Sequence, residues 1–204
     1  GTLAFKSALK TYGCPYDVEV AETADLPYGC RTREIGHIFH SGLKSHVKLA
    51  AVPASNTQKF IDLLQPIFPN LYPAKDIWEF AMGNNCILHC VPMIMNVNKM
   101  DLGESFDYYM EGITPSIAKI AEMVDADRVA VARAFGLPDE TCEQWVATTY
   151  NVDAKGLWNV VQHTESYKGI KSPASLAHRF CAEDTFGSLA PIASIAKELG
   201  IPTP

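Results

Sequence analysis

The chain has 204 residues, of which 48% are hydrophobic and 20% charged, enough apolar mass to bury a sizeable core and to exclude a disordered segment. Its formal charge of −6 provides no attraction for nucleic-acid phosphates or anionic lipid, and no apolar run approaches the ~20 residues that cross a bilayer. The expectation is a soluble cytoplasmic protein without nucleic-acid or membrane partners, its six cysteines reduced because no CxxC pair stands among them.

The opening GTLAFKSALK reads as the middle of a helix over Leu3–Tyr12, and the closing GIPTP follows a helix terminator, so both ends read as cut from a longer protein. Alternation of Val18 and Val20 with polar neighbours predicts a strand over Asp17–Glu22, after which LPYGCR reads as a turn. Two more strands are expected at Ile35–His40 and His46–Val52 around a turn at Ser41–Lys44. Asn56–Gln65 follows as an amphipathic helix with Phe60, Ile61 and Leu64 on one side, closed by Pro66. From about Asp76 the strand signal ends, which places a domain boundary near Pro73–Asp76.

The clearest later element is Pro115–Phe135. Thr114 can cap it, Pro115 suits its first turn, Ile113, Ile117, Ile120, Val124, Val131 and Phe135 recur at helical spacing, and Gly136 and Pro138 stop it. A last helix over Leu189–Leu199 carries Leu189, Ile192, Ile195 and Leu199 on one face and ends at Gly200.

Two segments could carry chemistry. GNNCILHCVPMIMN, residues 83–96, is an apolar helix-like stretch in which Asn85, His89 and Asn96 fall on one stripe if the helix continues through Pro92. A histidine there is either a hydrogen-bonded core residue or an acid/base group working near neutral pH. Cys86, His89 and Cys90 could face one way, but a closed metal site needs four ligands and no second Cys/His cluster follows, so no metal is expected. HRFCAEDTFG, residues 178–187, gathers His178, Arg179, Glu183 and Asp184. Either it is a solvated loop with a surface ion pair, or Arg179 grips a carboxylate while Asp184 orients an imidazole. No phosphate-cradling glycine loop, nucleophile elbow or HExxH helix occurs anywhere in the 204 residues.

AETADLPYGCR (21–31), ILHCVPMIMN (87–96), YYMEGITPSIAKIAE (108–122), GIKSPASLAHRFCAED (169–184) and PIASIAKELGIPTP (191–204) occur in this order. Together they resemble the octopine/nopaline-type opine dehydrogenases over essentially the whole chain. The resemblance implies the α/β tail of a Rossmann-type dinucleotide-binding domain over residues 1–75. An all-helical substrate domain of the 6-phosphogluconate dehydrogenase C-terminal kind would follow over 76–204. It implies NAD or NADP as cofactor, held by a phosphate loop upstream of Gly1 in a missing N-terminal Rossmann segment. It also implies reductive condensation of an amino acid with a 2-oxo acid such as pyruvate.

By that resemblance His89 is the catalytic acid/base, Asp184 its orienting carboxylate, and Arg179 a two-bond grip on a substrate carboxylate. Asn96, on the His89 face, would either touch the substrate or stand behind the residues that do, and Cys30 would line the oxo-acid pocket. Tyr109 and Lys171 sit in matching motifs without an assigned role. Two other readings stay open: a 2-oxo acid reductase of the ketopantoate reductase type, and a non-catalytic helical oligomerisation module. The amino acid used and the oligomeric state, a homodimer among the options, are also open.

Overall fold

A computed structural model describes residues 1–24, 26–43 and 46–204, with the backbone alone for 29–31, 33 and 39–43. The chain divides into two compact units, Gly1–Ala81 and Met82–Pro204.

The first unit opens with α1 (Thr2–Thr11), whose first free amide, Thr2 N–H, donates to the Glu22 carboxylate at 2.7 Å. A carboxylate there is favoured because a helix start presents unpaired N–H groups. Glu22 lies on β1 (Val20–Thr23), which runs antiparallel to β4 (Val47–Val52) with Val20 opposite Val52. β4 continues through α2 (Thr57–Leu64) into β5 (Leu71–Pro73), which pairs parallel to β4 with Val47 opposite Leu71. Parallel neighbours need such a crossover, and the result is a β-α-β unit in a sheet of order β1-β4-β5. Val47, Leu49, Ile61 and Leu71 form its core, with Phe60, Leu64 and Phe68 packed against them.

Two expectations change here. The segment LPYGCR lies at the start of a strand, β2 (Tyr28–Glu34), and Ser41-Gly42-Leu43 is not a turn but the end of β3 (His37–Leu43). The hairpin instead turns at Ile35-Gly36, where Gly36 has φ +82°, a conformation glycine adopts without a Cβ clash. Lys44, the end of the expected turn, lies outside the described residues. The short β5 is not legible in the sequence because three residues, the last of them a proline, show no period. The unit closes with α3 (Trp78–Ala81), beside a small cluster of Ala50, Ala74 and Ile77.

The second unit is helical apart from one isolated bridge between Asp107 and Lys171. α4 (Asn85–Met95) continues past Pro92, and α5 (Val97–Asp101) follows after the Asn96 cap. α6 (Pro115–Ala134) starts as expected, with Ile117 N–H donating to the Thr114 hydroxyl, and Gly136 beyond its end has φ +65°. Ile113, Ile117 and Val131 are buried, and Ile120 and Val124 pack on the core.

The same helix buries a charged pair that the apolar pattern does not show. Arg128 Nε donates to Asp125 Oδ1 at 2.7 Å, its other nitrogens donate to the carbonyls of Met82 and Glu140, and Cys142 N–H donates to Asp125 Oδ2 at 2.6 Å. This lock ties α6 to the start of the unit and to α7 (Cys142–Tyr150), itself opened by a Thr141/Gln144 capping box. α8 (Leu157–Gln162) comes next, its first amides accepted by Glu143 and Glu122.

Residues 178–187 do not form a loop: α9 (Arg179–Asp184) passes into a π-helical turn, Thr185–Leu189, and on into α10 (Ala190–Leu199) without a break. Gly200, φ +68°, ends the run. Among the described residues no helix is long and apolar enough to cross a membrane.

Candidate active site

α4 packs against α6 and α9 and supplies the only histidine among its residues. Cys86, Ile87, Leu88, Cys90, Val91 and Met93 of this helix are buried, so it is apolar nearly all round, and His89 sits at the edge of that core with 16% of its side chain exposed. A buried imidazole needs partners for its polar atoms. One is Asp184: His89 Nδ1–H donates to Asp184 Oδ2 at 2.8 Å, across 95 positions of sequence. A carboxylate only accepts, so the proton between them rides on Nδ1 and the outer nitrogen, Nε2, is left to give or take a proton.

Asp184 ends α9, and Phe180 stands four residues before it on the same helical face. The two therefore reach the same imidazole from one helix: Asp184 meets its edge, and Phe180 lies flat on its face, with ring centroids 4.0 Å apart and planes 6° apart. Tyr108, fully buried, donates from its hydroxyl to the His89 carbonyl at 2.5 Å and tilts against Phe180 at 5.4 Å. Burial pushes the Tyr108 phenol far above its ordinary value, so it stays a donor.

Sulfur and hydroxyl groups meet where α4 packs on α9. The Cys90 thiol contacts the Phe180 carbonyl at 3.6 Å and the Thr185 hydroxyl at 3.5 Å, and Cys181 reaches the same hydroxyl at 3.7 Å. Burial pushes the Cys90 thiol up to about 11 and raises Cys86 as well. Both remain protonated filler, and no group of three or more His, Cys, Asp or Glu among the described residues could hold a metal.

Arg179 is on the same turn and does not bond His89 or Asp184. Its guanidinium is two-thirds exposed, 5.6 Å from the Phe180 ring centre and a loose 3.6 Å from Glu183. Its fork of donors faces solvent with only that loose carboxylate contact, within reach of a planar anion that competes with Glu183. His178 caps α9, its Nδ1 accepting Phe180 N–H at 3.3 Å, and its ring stands edge-on to Phe180 at 4.7 Å.

The other sequence candidates have different places. Asn96 does not continue the α4 stripe; it caps the helix at φ −114°, and its buried amide donates to the carbonyls of Pro92 and Gly112 at 2.8 and 2.9 Å. Asn85 is exposed at the helix start. Cys30 pairs with His40 between β2 and β3, and its side chain lies outside the described residues. Tyr109 is buried and stacks on Tyr167 at 4.2 Å, while Lys171 bridges Asp107 through the backbone. Phe180 and Tyr108 were absent from the sequence candidates. The i, i+4 spacing of Phe180 and Asp184 in HRFCAED is the signal that would have found the first.

A family model described as NAD/NADP octopine/nopaline dehydrogenase, alpha-helical domain, matches residues 73–204. An opine dehydrogenase of Arthrobacter sp. (strain 1C) is 29% identical over 205 residues, covering all of this chain and 57% of the relative. A vitopine synthase of Allorhizobium ampelinum is 26% identical over 192 residues, covering 92% of this chain and 52% of the relative. The chain thus spans somewhat more than half the length of these relatives. Octopine dehydrogenase solved with NADH and L-arginine superposes with a TM-score of 0.70 at 20% identity, over 92% of this chain and 53% of that one. The same enzyme with NADH and agmatine gives 0.68 at 21% over the same shares. The fold is accordingly the α/β tail of a Rossmann-type domain followed by an all-helical domain. With the family model covering more than half of its residues, the chain belongs to the NAD/NADP octopine/nopaline dehydrogenase family.

Proposed function

We propose that the protein containing this chain is an NAD(P)H-dependent opine dehydrogenase that joins the amine of an amino acid to the carbonyl carbon of a 2-oxo acid such as pyruvate. Family membership supports the reaction class, and the observation that carries it to these residues is the His89–Asp184 pair with Nε2 left open.

In the condensation half, the amine adds to the carbonyl and a proton must reach the oxygen that leaves as water. In this reading His89 Nε2 delivers it, and Asp184 holds the tautomer and stabilises the charged ring. Arg179 takes a substrate carboxylate in a two-bond grip, which fixes the carbon that is reduced. NAD or NADP supplies the hydride to the imine carbon when bound. We propose, on the family resemblance, that its phosphates are held by a glycine-rich loop of the kind that residues 1–204 do not contain. Asn96, through its bonds to Pro92 and Gly112, supports the far end of α4, and Cys30 is assigned to the oxo-acid pocket on the sequence resemblance.

The test is oxidation of NADH and NADPH by the full-length protein with pyruvate and a panel of amino acids, supplied singly and together. Oxidation only when both substrates are present establishes reductive condensation and names the amine. Oxidation with oxo acid alone replaces the reading with a hydroxy-acid reductase.

A further inference from the structure

We infer that Phe180 is a positioning residue for the proton-transferring imidazole: stacked on the face of His89, it fixes the plane in which Nε2 points. The inference deepens the proposed function and rests on it.

A single hydrogen bond at Nδ1 sets the direction of that nitrogen but leaves the imidazole free to rock about the Nδ1···Oδ2 axis, which swings Nε2 through an arc. A flat ring 4.0 Å away at 6° removes that freedom. Phe180 is itself held by its neighbours, the Arg179 guanidinium 5.6 Å from its ring centre among them. The Tyr108 ring tilts against it at 5.4 Å, His178 meets it edge-on at 4.7 Å, and the Cys90 thiol reaches its carbonyl at 3.6 Å. The backbone of the histidine is fixed as well, by the Tyr108 hydroxyl on the His89 carbonyl.

Since Phe180 and Asp184 share one face of α9, a single rigid element sets both the edge and the plane of the imidazole. The π-helical turn directly after Asp184 spares that face from the regular phase of the helix that follows. The face of Phe180 also suits the protonated state, because an aromatic quadrupole attracts a cation lying over it. Leucine in its place would fill similar volume but offer no flat, negative face.

The experiment compares wild-type, Phe180→Leu and Phe180→Tyr in the full-length protein, each checked for an unchanged melting profile. Two readouts are taken: steady-state kinetics with paired substrates, and the proton NMR signals of the His89 ring. The expected result is an upfield, ring-current-shifted His89 signal in wild type that is lost in Phe180→Leu. With it kcat falls about tenfold or more while KM changes little, and Phe180→Tyr restores both. Equal activity of wild type and Phe180→Leu, a loss confined to KM, or an equal loss in the leucine and tyrosine variants overturns the inference. Wild-type protein that oxidises no nicotinamide with any substrate pair sinks the functional reading instead. The ring-current signal then still decides whether Phe180 holds the imidazole, and its absence from wild type overturns the inference outright.

Discussion

Replacing Asp125 by alanine removes the acceptor at the centre of the buried lock on α6. Both side chains of the pair are 5% exposed, and the carboxylate serves Arg128 Nε at 2.7 Å and Cys142 N–H at 2.6 Å. The arginine cannot give up its charge, so Asp125→Ala leaves a buried cation with only the Met82 and Glu140 carbonyls. Breaking such a pair from one side costs about 3–5 kcal/mol, and an orphaned amide about 1–3 kcal/mol more. With partial relaxation the net loss is about 4 kcal/mol, a large part of a domain's ~5–15 kcal/mol. At roughly 2 kcal/mol per molar urea, the unfolding midpoint followed by far-UV ellipticity falls by about 2 M. Asp125→Leu combined with Arg128→Met removes both charges and is expected to recover part of that loss, a coupling of about 1–3 kcal/mol. A midpoint lowered by less than about 0.5 M in Asp125→Ala, or a double variant as unstable as the sum of the singles, refutes the lock as the tie between α6, α7 and the start of the unit.

Gly112→Ala is expected to destabilise by about 1–3 kcal/mol, because a Cβ there meets the Tyr108 carbonyl oxygen at 2.3 Å and the Phe106 ring at 2.9 Å; thermal unfolding checks it, and an unchanged melting temperature contradicts it. Burial, then the neighbouring Arg179 and His89, hold the His178 imidazole below its ordinary value, so its neutral form is the one that accepts Phe180 N–H. That stability is present above about pH 6.5 and is lost as pH falls through the lower folded-state value. The melting-temperature advantage of wild type over His178→Ala should therefore shrink between about pH 7.5 and about pH 5, and an advantage that grows on acidification refutes the assignment. Cys90, pushed up to about 11 by burial, should resist alkylation at neutral pH until urea unfolds the chain; labelling in the folded protein, read by mass spectrometry, would show the thiol to be open.

α6 is legible in the sequence because its stop and start signals are local and its apolar residues repeat every three or four positions over five turns. The Asp125–Arg128 pair on the same helix is not legible, since an i, i+3 ion pair on a periodic helix usually marks the solvent face. Its burial depends on Met82, Glu140 and Cys142, which converge only in the fold. β2 is not legible because Pro27 and Gly29 signal a turn more strongly than Ile35-Gly36 does, though it is Gly36, between β2 and β3, that takes positive φ.

His89 stands out in sequence as a lone histidine in an apolar helix, and Asp184 as a carboxylate in an unusual cluster. Their pairing over 95 positions was reachable only through resemblance, because no spacing rule links α4 to α9. Asn96 fell off the expected stripe for a local reason: α4 ends at Met95, and the next residue turns its amide back onto the Pro92 and Gly112 carbonyls.

The central claim is that His89 moves the proton of a reductive condensation. It is tested most directly by His89→Gln in the full-length protein, assayed with the paired substrates that wild type uses and with dinucleotide binding measured alongside. The account predicts kcat/KM lower by about 10²–10⁴-fold with dinucleotide affinity kept. Turnover within threefold of wild type would contradict it.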